Sequence, residues 1–446
     1  MTESTPIALA PVSGKARIDV LDMLRGIAIL GIFFMNVPFM ALEMSKLFVD
    51  VRLIGWTPAD RASWYAVQLL LEGTQRGLLE LLFGAGMMVL TARAMTPDGP
   101  VAIADLHIRR NLWLLGFGLF DVFVLLWAGD ILHIYALAAL FLFPFRKLGP
   151  RLLLALGLAN AAYLLVSGVL QYSDRADLMH RAEIAHQKQA AHVALAPADT
   201  EALDQLKKVI ERRRGGDEIK QIRKMEAEGH AGGVIAYARM NIGVFLTFVY
   251  PSLLANVIEA FTTMLIGIAL WKWRVIQGGR TLRFYLVLML ACYVPAVAAR
   301  LIGAGDWLSM EVTPKASWMT QEAARIAMSI GHVALVNLAV RSGAGRALLA
   351  PFKAAGRMAF SLYFMQQIIG LWILFAPWGP NLWAKFHWAQ LFGVALIVLA
   401  AQLVFANMWL RLFAAGPLEW LWRSLAYVRW QPFLRRDAET PAPQVP

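Results

Sequence analysis

The segment "LDMLRGIAILGIFFMNVPFM", residues 21 to 40, is apolar for about five helical turns, and it is one of ten such runs along the chain. Crossing a bilayer takes about 20 predominantly apolar residues, because every backbone N–H and C=O must be satisfied within the helix itself. Runs of this kind lie at 20–42, 64–90, 111–128, 130–145, 151–171, 255–273, 283–302, 318–340, 358–377 and 389–411. The expectation is an all-α, polytopic transmembrane helical bundle of about ten spans. Residues 239–254 leave an eleventh open: the stretch is of moderate length, meets Pro251 and is short enough to be re-entrant or interfacial instead.

Composition points the same way. The 446 residues are 59% hydrophobic and 16% charged, with a mean hydropathy of +0.56, whereas a soluble chain has about 45–50% apolar and about 25% charged residues. Cys292 is the only cysteine, which excludes an internal disulfide and a multi-cysteine metal site. The N-terminal run is too long for the apolar region of a signal peptide and lacks a small-residue cleavage pattern, so it is read as retained.

The formal charge of +12 has an explanation in topology. With both termini cytoplasmic and 239–254 not crossing, the basic groups fall on one side at every turn. They run from Lys15, Arg17 and Arg25 through Arg93, Arg109 and Arg110 to Arg423, Arg429, Arg435 and Arg436. No contiguous basic face with interleaved aromatics is present, so a nucleic-acid partner is not expected. Residues 173–238 differ from the rest, with 11 Lys/Arg and 11 Asp/Glu, opposite charges three or four apart, and a break at Gly215–Gly216. They read as a helical extracytoplasmic hairpin that either covers a pocket or is a solvated connector. The chain thus divides into an N-terminal five-helix half (1–172), the charged loop (173–238), a C-terminal five-helix half (239–413) and a cytoplasmic tail (414–446). A faint echo links 72–93 with 256–274: an acid, a small-residue apolar run, then a basic stop.

Ionisable groups at membrane depth are costly and normally face a protein interior or an aqueous cavity. Asp22 and Arg25 lie three apart at one mouth of the first span, as an interfacial anchor or a ligand site. Asn36, eleven residues beyond Arg25, shares its face and either glues helices or orients a substrate. Asp121 sits in an otherwise apolar run. Asp130 and His133 are three apart where one span ends and the next begins; Asp130 either caps the helix or holds His133 in one tautomer as a general base. Glu72 and Glu80 flank Arg76 at i−4 and i+4, either as a salt-bridged set or as an acidic pocket wall, and the echo adds Glu259. Tyr363, Gln366 and Gln367 give one short helix more hydrogen-bonding groups than packing needs, whereas His332 is isolated. No dinucleotide fingerprint, phosphate-binding loop, nucleophile elbow or metal-ligand spacing is present. The residues alone fit an enzyme or a transporter.

Five motifs in order resemble the YeiB-type bacterial membrane proteins, whose C-terminal half is known as domain of unknown function 418. They are "LDMLRGIAILGIFFMNV", "EGTQRGLLELLFGAGMMVL", "LLWAGDILHIYAL", "GRMAFSLYFMQQ" and "GPLEWLWRSLAY", the last contributing Glu419. The chain departs from the family pattern in carrying Asp121–Val122 where relatives often have a histidine, and "SLYFMQQ" where they tend to have a "TNY...QS" pattern. The family is similar to a wider group of transmembrane acyltransferases. That resemblance implies a bacterial inner-membrane protein that takes an acyl group from cytoplasmic acyl-CoA and passes it to a hydroxyl or amine, such as a sugar, on the far side. In this reading Asp130, His133, Glu72 and Asp121 are the catalytic candidates. Asp22, Arg25, Asn36, Glu80, Glu259, Tyr363, Gln366, Gln367 and Glu419 are the binding candidates, with Arg25 at the donor's phosphates and no metal. The expected partners are membrane lipid and the small-molecule acceptor, with a homodimer left open. The rival readings are a secondary transporter of a small solute and a non-catalytic membrane scaffold or lipid-binding protein.

Overall fold

A computed structural model describes residues 18–91, 101–213 and 216–435. Lys15, Arg17, Arg93, Gly215 and Arg436 lie outside the described residues. The first apolar run becomes α1 (Asp19–Gly31) and α2 (Phe33–Ala41), a continuous rod because the intervening Ile32 is itself helical at φ −65°, ψ −24°. There follow α3 (Met44–Val49), α4 (Pro58–Leu70), α5 (Thr74–Thr91), α6 (Val101–Phe123), α7 (Leu132–Leu140) and α8 (Pro150–Ala190). The charged region supplies α9 (Pro197–Arg213) and α10 (Asp217–Ala231). The remainder forms α11 (Val234–Val244), α12 (Leu253–Lys272), α13 (Leu282–Leu308), α14 (Ser317–Ala339), α15 (Gly343–Arg357), α16 (Ala359–Gln367), α17 (Trp388–Leu412) and α18 (Pro417–Tyr427).

Among the described residues, five helical segments are long and apolar enough to cross a membrane: Asp19–Ala41, Pro150–Ala190, Val234–Lys272, Leu282–Leu308 and Trp388–Leu412. The protein is therefore an all-α, multi-pass membrane bundle, and several of the ten expected spans take other forms. The run 64–90 is split into α4 and α5 at Leu71–Gly73, where Gly73 adopts φ +63°. The run 130–145 yields only nine residues of helix in α7, about 14 Å long. In 358–377 the nine residues of α16 pass into a π-helical turn, Ile368–Leu374.

Residues 239–254 form no separate re-entrant element. They continue into α12 as one helical rod, Val234–Lys272, through a π turn at Phe245–Val249 and a 3-10 turn at Tyr250–Ser252. Proline cannot donate an i→i−4 bond, and these changes of turn absorb Pro251 without ending the helix. In the same way α8 runs on past the apolar stretch into the charged one. Its 41 residues span roughly 60 Å, about twice a bilayer's hydrocarbon thickness, so a helix of this length is longer than one crossing requires. Along the charged stretch α9 packs beside it, with Lys188 Nζ 2.8 Å from Asp199 Oδ2.

One large core joins residues from both halves of the chain, from Leu24 and Leu81 to Met264, Leu362 and Leu391. Glycines set its tightest crossings. A methyl group at Gly26 would run into the Phe352 carbonyl and one at Gly356 into the Asp22 carbonyl, where α1 meets α15. Gly84 and Gly267 do the same between α5 and α12, so the two segments of the sequence echo lie against each other. On the outside, only 6% of the apolar stretch of α13 and 17% of that of α8 is buried within the protein, which leaves these helices to lipid.

Candidate functional site

The chain leaves α6 at Phe123 and reaches α7 at Leu132 through an irregular segment in which Leu126 adopts φ +66°. Asp130 ends that segment. Its Oδ1 accepts the Leu132 N–H at 3.1 Å, and its Oδ2 accepts the His133 N–H at 2.9 Å, so the carboxylate caps α7. The same Oδ2 lies 2.7 Å from His133 Nδ1. An ionised carboxylate only accepts, so Nδ1 carries the proton and Nε2 is left as the basic nitrogen. Nε2 is buried and meets no hydrogen-bond partner. Helix capping and the histidine dyad, alternatives in the sequence, are thus compatible uses of one carboxylate.

Tyr363 on α16 completes the group. Its hydroxyl donates to Asp130 Oδ1 at 3.2 Å and accepts the Ile131 N–H at 3.3 Å. Asp121, fully buried, faces Asp130 from the last turns of α6, and both of its oxygens lack a hydrogen bond of good geometry. Two carboxylates in one desolvated volume repel, so the arrangement calls for a compensating positive charge or a shared proton.

This cluster lies between two cavities. One, of about 360 Å³, is lined by Arg25, Arg110, Arg357 and Arg423, together with Tyr363 and Ile131. Arg25 pairs with Asp22 at 3.2 Å, and the Arg110 guanidinium stacks 4.5 Å from the centre of the Trp422 ring, which α18 presents. The other cavity, of about 620 Å³, is lined by Asn36, Glu72, Arg76, Trp127, Arg300 and Arg325 among others. Ile131 lines both, whereas Asp130 and His133 line neither.

Two residues that line the second cavity, Arg76 and Arg325, belong to an ion-pair network. Arg325 of α14 donates to Glu80 at 2.6 Å, to both oxygens of Glu322 at 2.8 Å and to the Thr263 hydroxyl at 2.8 Å. Its Nε also lies 3.3 Å from Glu259, which pairs in turn with Arg76. Arg76 is 3.8 Å from Glu80. Arg300 donates to the Leu69 carbonyl at 2.9 Å and to the Glu72 carbonyl, and it lies near the Glu72 carboxylate. Arg76 and Arg325 therefore join Glu80 and Glu259 in ion pairs, and the Glu72 carboxylate lies near Arg300 and Arg76.

The charged hairpin contributes to the lining of the same cavity. Glu226 of α10 accepts the N–H groups of Met44 at 2.6 Å and Ser45 at 3.3 Å at the start of α3. His230 stacks on Trp383 at 3.8 Å and meets Tyr237 edge-on. Glu226, His230, Tyr237 and Trp383 all line the cavity, so α10 forms part of its wall. Burial pushes the Glu226 carboxyl up and the His230 imidazole down from their ordinary ranges.

Other candidate residues have structural partners. Glu419 accepts the N–H groups of Phe360 at 2.7 Å and Ser361 at 3.1 Å, together with the Ser361 hydroxyl, and so caps α16 while bordering the first cavity. Gln366 donates to the Ile29 carbonyl at 3.0 Å and to Gln402 at 3.2 Å, tying α16 to α1 and α17. Both polar atoms of buried Gln367 and the amide nitrogen of Asn36 lack partners. No group of three metal-ligating side chains occurs among the described residues.

Sequence reading offers Arg110 only as one of the basic cytoplasmic groups and does not single out Arg325, Glu322 or Arg300. Arg325 carried a usable signal, since it is a lone arginine inside an apolar span with Glu322 three residues before it.

Residues 270–429 match the family model described as "Protein of unknown function (DUF418)". The chain is 31% identical to the uncharacterized protein YxaH of Bacillus subtilis (strain 168), over 96% of this chain and 99% of that relative. It is 26% identical to the uncharacterized protein YeiB of Escherichia coli (strain K12), over 91% and 95% of the two chains. An uncharacterized 39.9 kDa protein in the amylase 3' region of Bacillus acidopullulyticus is 24% identical over 96% of this chain and 99% of its own. No solved structure matches. With a relative this similar along almost its whole length, the chain belongs to the YeiB-like family of bacterial membrane proteins that carry the DUF418 domain.

Proposed function

We propose that the protein transfers an acyl group from cytoplasmic acyl-CoA to a hydroxyl or amine acceptor, such as a sugar, on the far side of the bacterial inner membrane. The observation that carries this reading is the Asp130–His133 pair held between two cavities of unlike lining. Four arginines suit the first cavity to a phosphorylated donor, since guanidinium pairs with phosphate in bidentate geometry. Aromatic rings, Asn36 and Glu72 suit the second to a polar acceptor. In this reading the arginine-lined cavity and both termini are cytoplasmic, which the positive-inside pattern supports, and the short and interrupted helices bring the passes to about ten.

In this reading His133 Nε2 takes the proton from the acceptor as its oxygen or nitrogen attacks the thioester carbonyl. The carbon–sulfur bond breaks, and the proton passes to the departing thiolate. Asp130 keeps the imidazole in the required tautomer and steadies the imidazolium, and Tyr363 fixes Asp130. Because His133 lies outside both cavities, the segment Trp127–Ile131 must shift for its nitrogen to reach the acceptor.

The test is acyl-CoA binding and turnover by the purified full-length protein. Wild type is expected to bind acyl-CoA and consume it in the presence of acceptor, with Arg25→Ala weakening binding and His133→Ala abolishing turnover. Absence of acyl-CoA binding, together with unchanged activity in Arg25→Ala, overturns the proposal. Transport of a small solute is the second reading, favoured by the presence of two cavities that share Ile131 in their linings. It predicts solute counterflow in vesicles without thioester cleavage.

A further inference from the structure

The arginine-lined cavity has two unlike walls. Opposite in character to its four arginines is one face of α5, where Leu79, Leu82, Phe83, Gly86, Met87 and Leu90 recur at helical spacing and line the same cavity. Ile103 and Leu106 at the start of α6 extend this apolar arm.

Gly86 is the unusual member. A methyl group there would have no heavy atom within 4 Å, whereas one at Gly84, a single position away from the alanine between them, would strike the Met264 carbonyl. Gly84 is explained by helix packing and Gly86 is not. Helix interiors disfavour glycine, and what glycine supplies at position 86 is open volume in the cavity wall.

We propose that this arm holds the hydrocarbon chain of a single-chain amphiphile bearing a phosphate ester, and that Gly86 sets the length of chain that fits. An apolar slot beside clustered guanidinium groups recognises both ends of such a molecule: burial of methylenes holds the chain, and the arginines hold the phosphate. The inference rests on the acyl-donor reading in taking acyl-CoA as one such molecule. A lysophospholipid shares the same chemistry and is the other source.

The experiment measures binding to the purified full-length protein in one detergent throughout. The probes are the acetyl, octanoyl, dodecanoyl and palmitoyl thioesters of coenzyme A, and lysophosphatidic acids of the three longer chains. The variants are Gly86→Leu and Gly86→Ala, with Gly116→Leu as control, since Gly116 is exposed, has open space around it and lines neither cavity. Wild-type affinity is expected to rise by about fourfold per methylene over the chain lengths that fit. Gly86→Leu is expected to keep acetyl-CoA binding and lose about tenfold or more for the palmitoyl thioester, Gly86→Ala to show a smaller loss, and Gly116→Leu to change neither.

If Gly86→Leu does not fold, the Gly86→Ala profile decides. A chain-length profile indifferent to position 86 overturns the inference. Thioesters that bind without any chain-length dependence also overturn it and leave the donor reading standing. Lysophosphatidic acids that show the Gly86-dependent profile, where thioesters do not bind at all, support the amphiphile arm and remove acyl-CoA as the donor.

Discussion

The Tyr363 hydroxyl donates to Asp130 Oδ1 at 3.2 Å across 233 residues of sequence, while Asp130 Oδ2 faces His133 Nδ1 at 2.7 Å. One carboxylate thereby ties α16 to the start of α7 and orients the histidine. The two ends of this relay should differ in cost. Tyr363→Phe removes two hydrogen bonds, the one donated to Asp130 Oδ1 and the one accepted from the Ile131 N–H, and is expected to lower stability by about 1–2 kcal/mol. Asp130→Ala strips the cap of α7 and leaves both partners unsatisfied, for about 2–4 kcal/mol. Unfolding of the two variants in one detergent checks this, and equal losses would contradict the shared role of Asp130.

Arg325 answers Glu80, Glu259 and Glu322 at once. Removing one member of a buried ion set leaves the others uncompensated, which costs about 3–5 kcal/mol. Arg325→Gln should therefore destabilise strongly, and adding Glu80→Gln to it should recover part of the loss. A double-mutant cycle reads that coupling; additive losses would show that Arg325 and Glu80 act independently.

These two clusters also mark what was legible in the sequence. Asp130 and His133 are three residues apart on the edge of one helix, so their pairing followed from local geometry. Arg325 reaches Glu80 across 245 residues, and no periodicity within a single span reports such a pairing. Apolar runs located the five segments long and apolar enough to cross a membrane, because length and composition decide that property. Where helices break inside those runs was less visible: Gly73 at φ +63° and the π turn beyond Gln367 are answers to tertiary packing. Pro251 misled in the opposite direction, since the rod through α12 accommodates it. The fate of the charged stretch was half legible, in that its charge pairing announced helices but not that α8 would run unbroken into it or that α10 would dock on α3.

Gly356 and Gly86 make a matched pair of helix glycines with opposite surroundings. At Gly356 an added methyl meets the Asp22 carbonyl, and at Gly86 it meets nothing within 4 Å. Gly356→Ala must force α1 and α15 apart and is expected to cost about 1–3 kcal/mol. Gly86→Ala should leave stability unchanged or raise it by up to about 1 kcal/mol through helix propensity. Thermal unfolding of the two single variants side by side tests this. A loss at Gly86 matching that at Gly356 would mean that position 86 is packed.

Two carboxylates outside the membrane segments should give stability opposite dependences on pH. Burial, outweighing the Met44 and Ser45 N–H groups, pushes the Glu226 carboxyl up. At Asp60 burial alone would push the same way, but the Ala389 N–H at 2.9 Å and the Thr57 hydroxyl at 2.7 Å, with the Thr57 N–H, hold its carboxyl down. A raised carboxyl binds its proton more tightly in the folded state, so the contribution of Glu226 is complete below its unfolded value, about 4.3, and is lost as pH rises through the folded one. A lowered carboxyl does the reverse: the contribution of Asp60 is complete above about 3.9 and is lost as pH falls through its folded value. Unfolding measured across acidic pH for wild type, Glu226→Gln and Asp60→Asn separates the two. The advantage of wild type over Glu226→Gln should shrink as pH rises, and its advantage over Asp60→Asn should shrink as pH falls. Because Glu226 anchors α10 to α3, the first trend should be accompanied by increasing protease access to the hairpin. Trends of the same sign in both variants would show that the α10 carboxylate is held by its N–H partners, as Asp60 is, and not governed by burial.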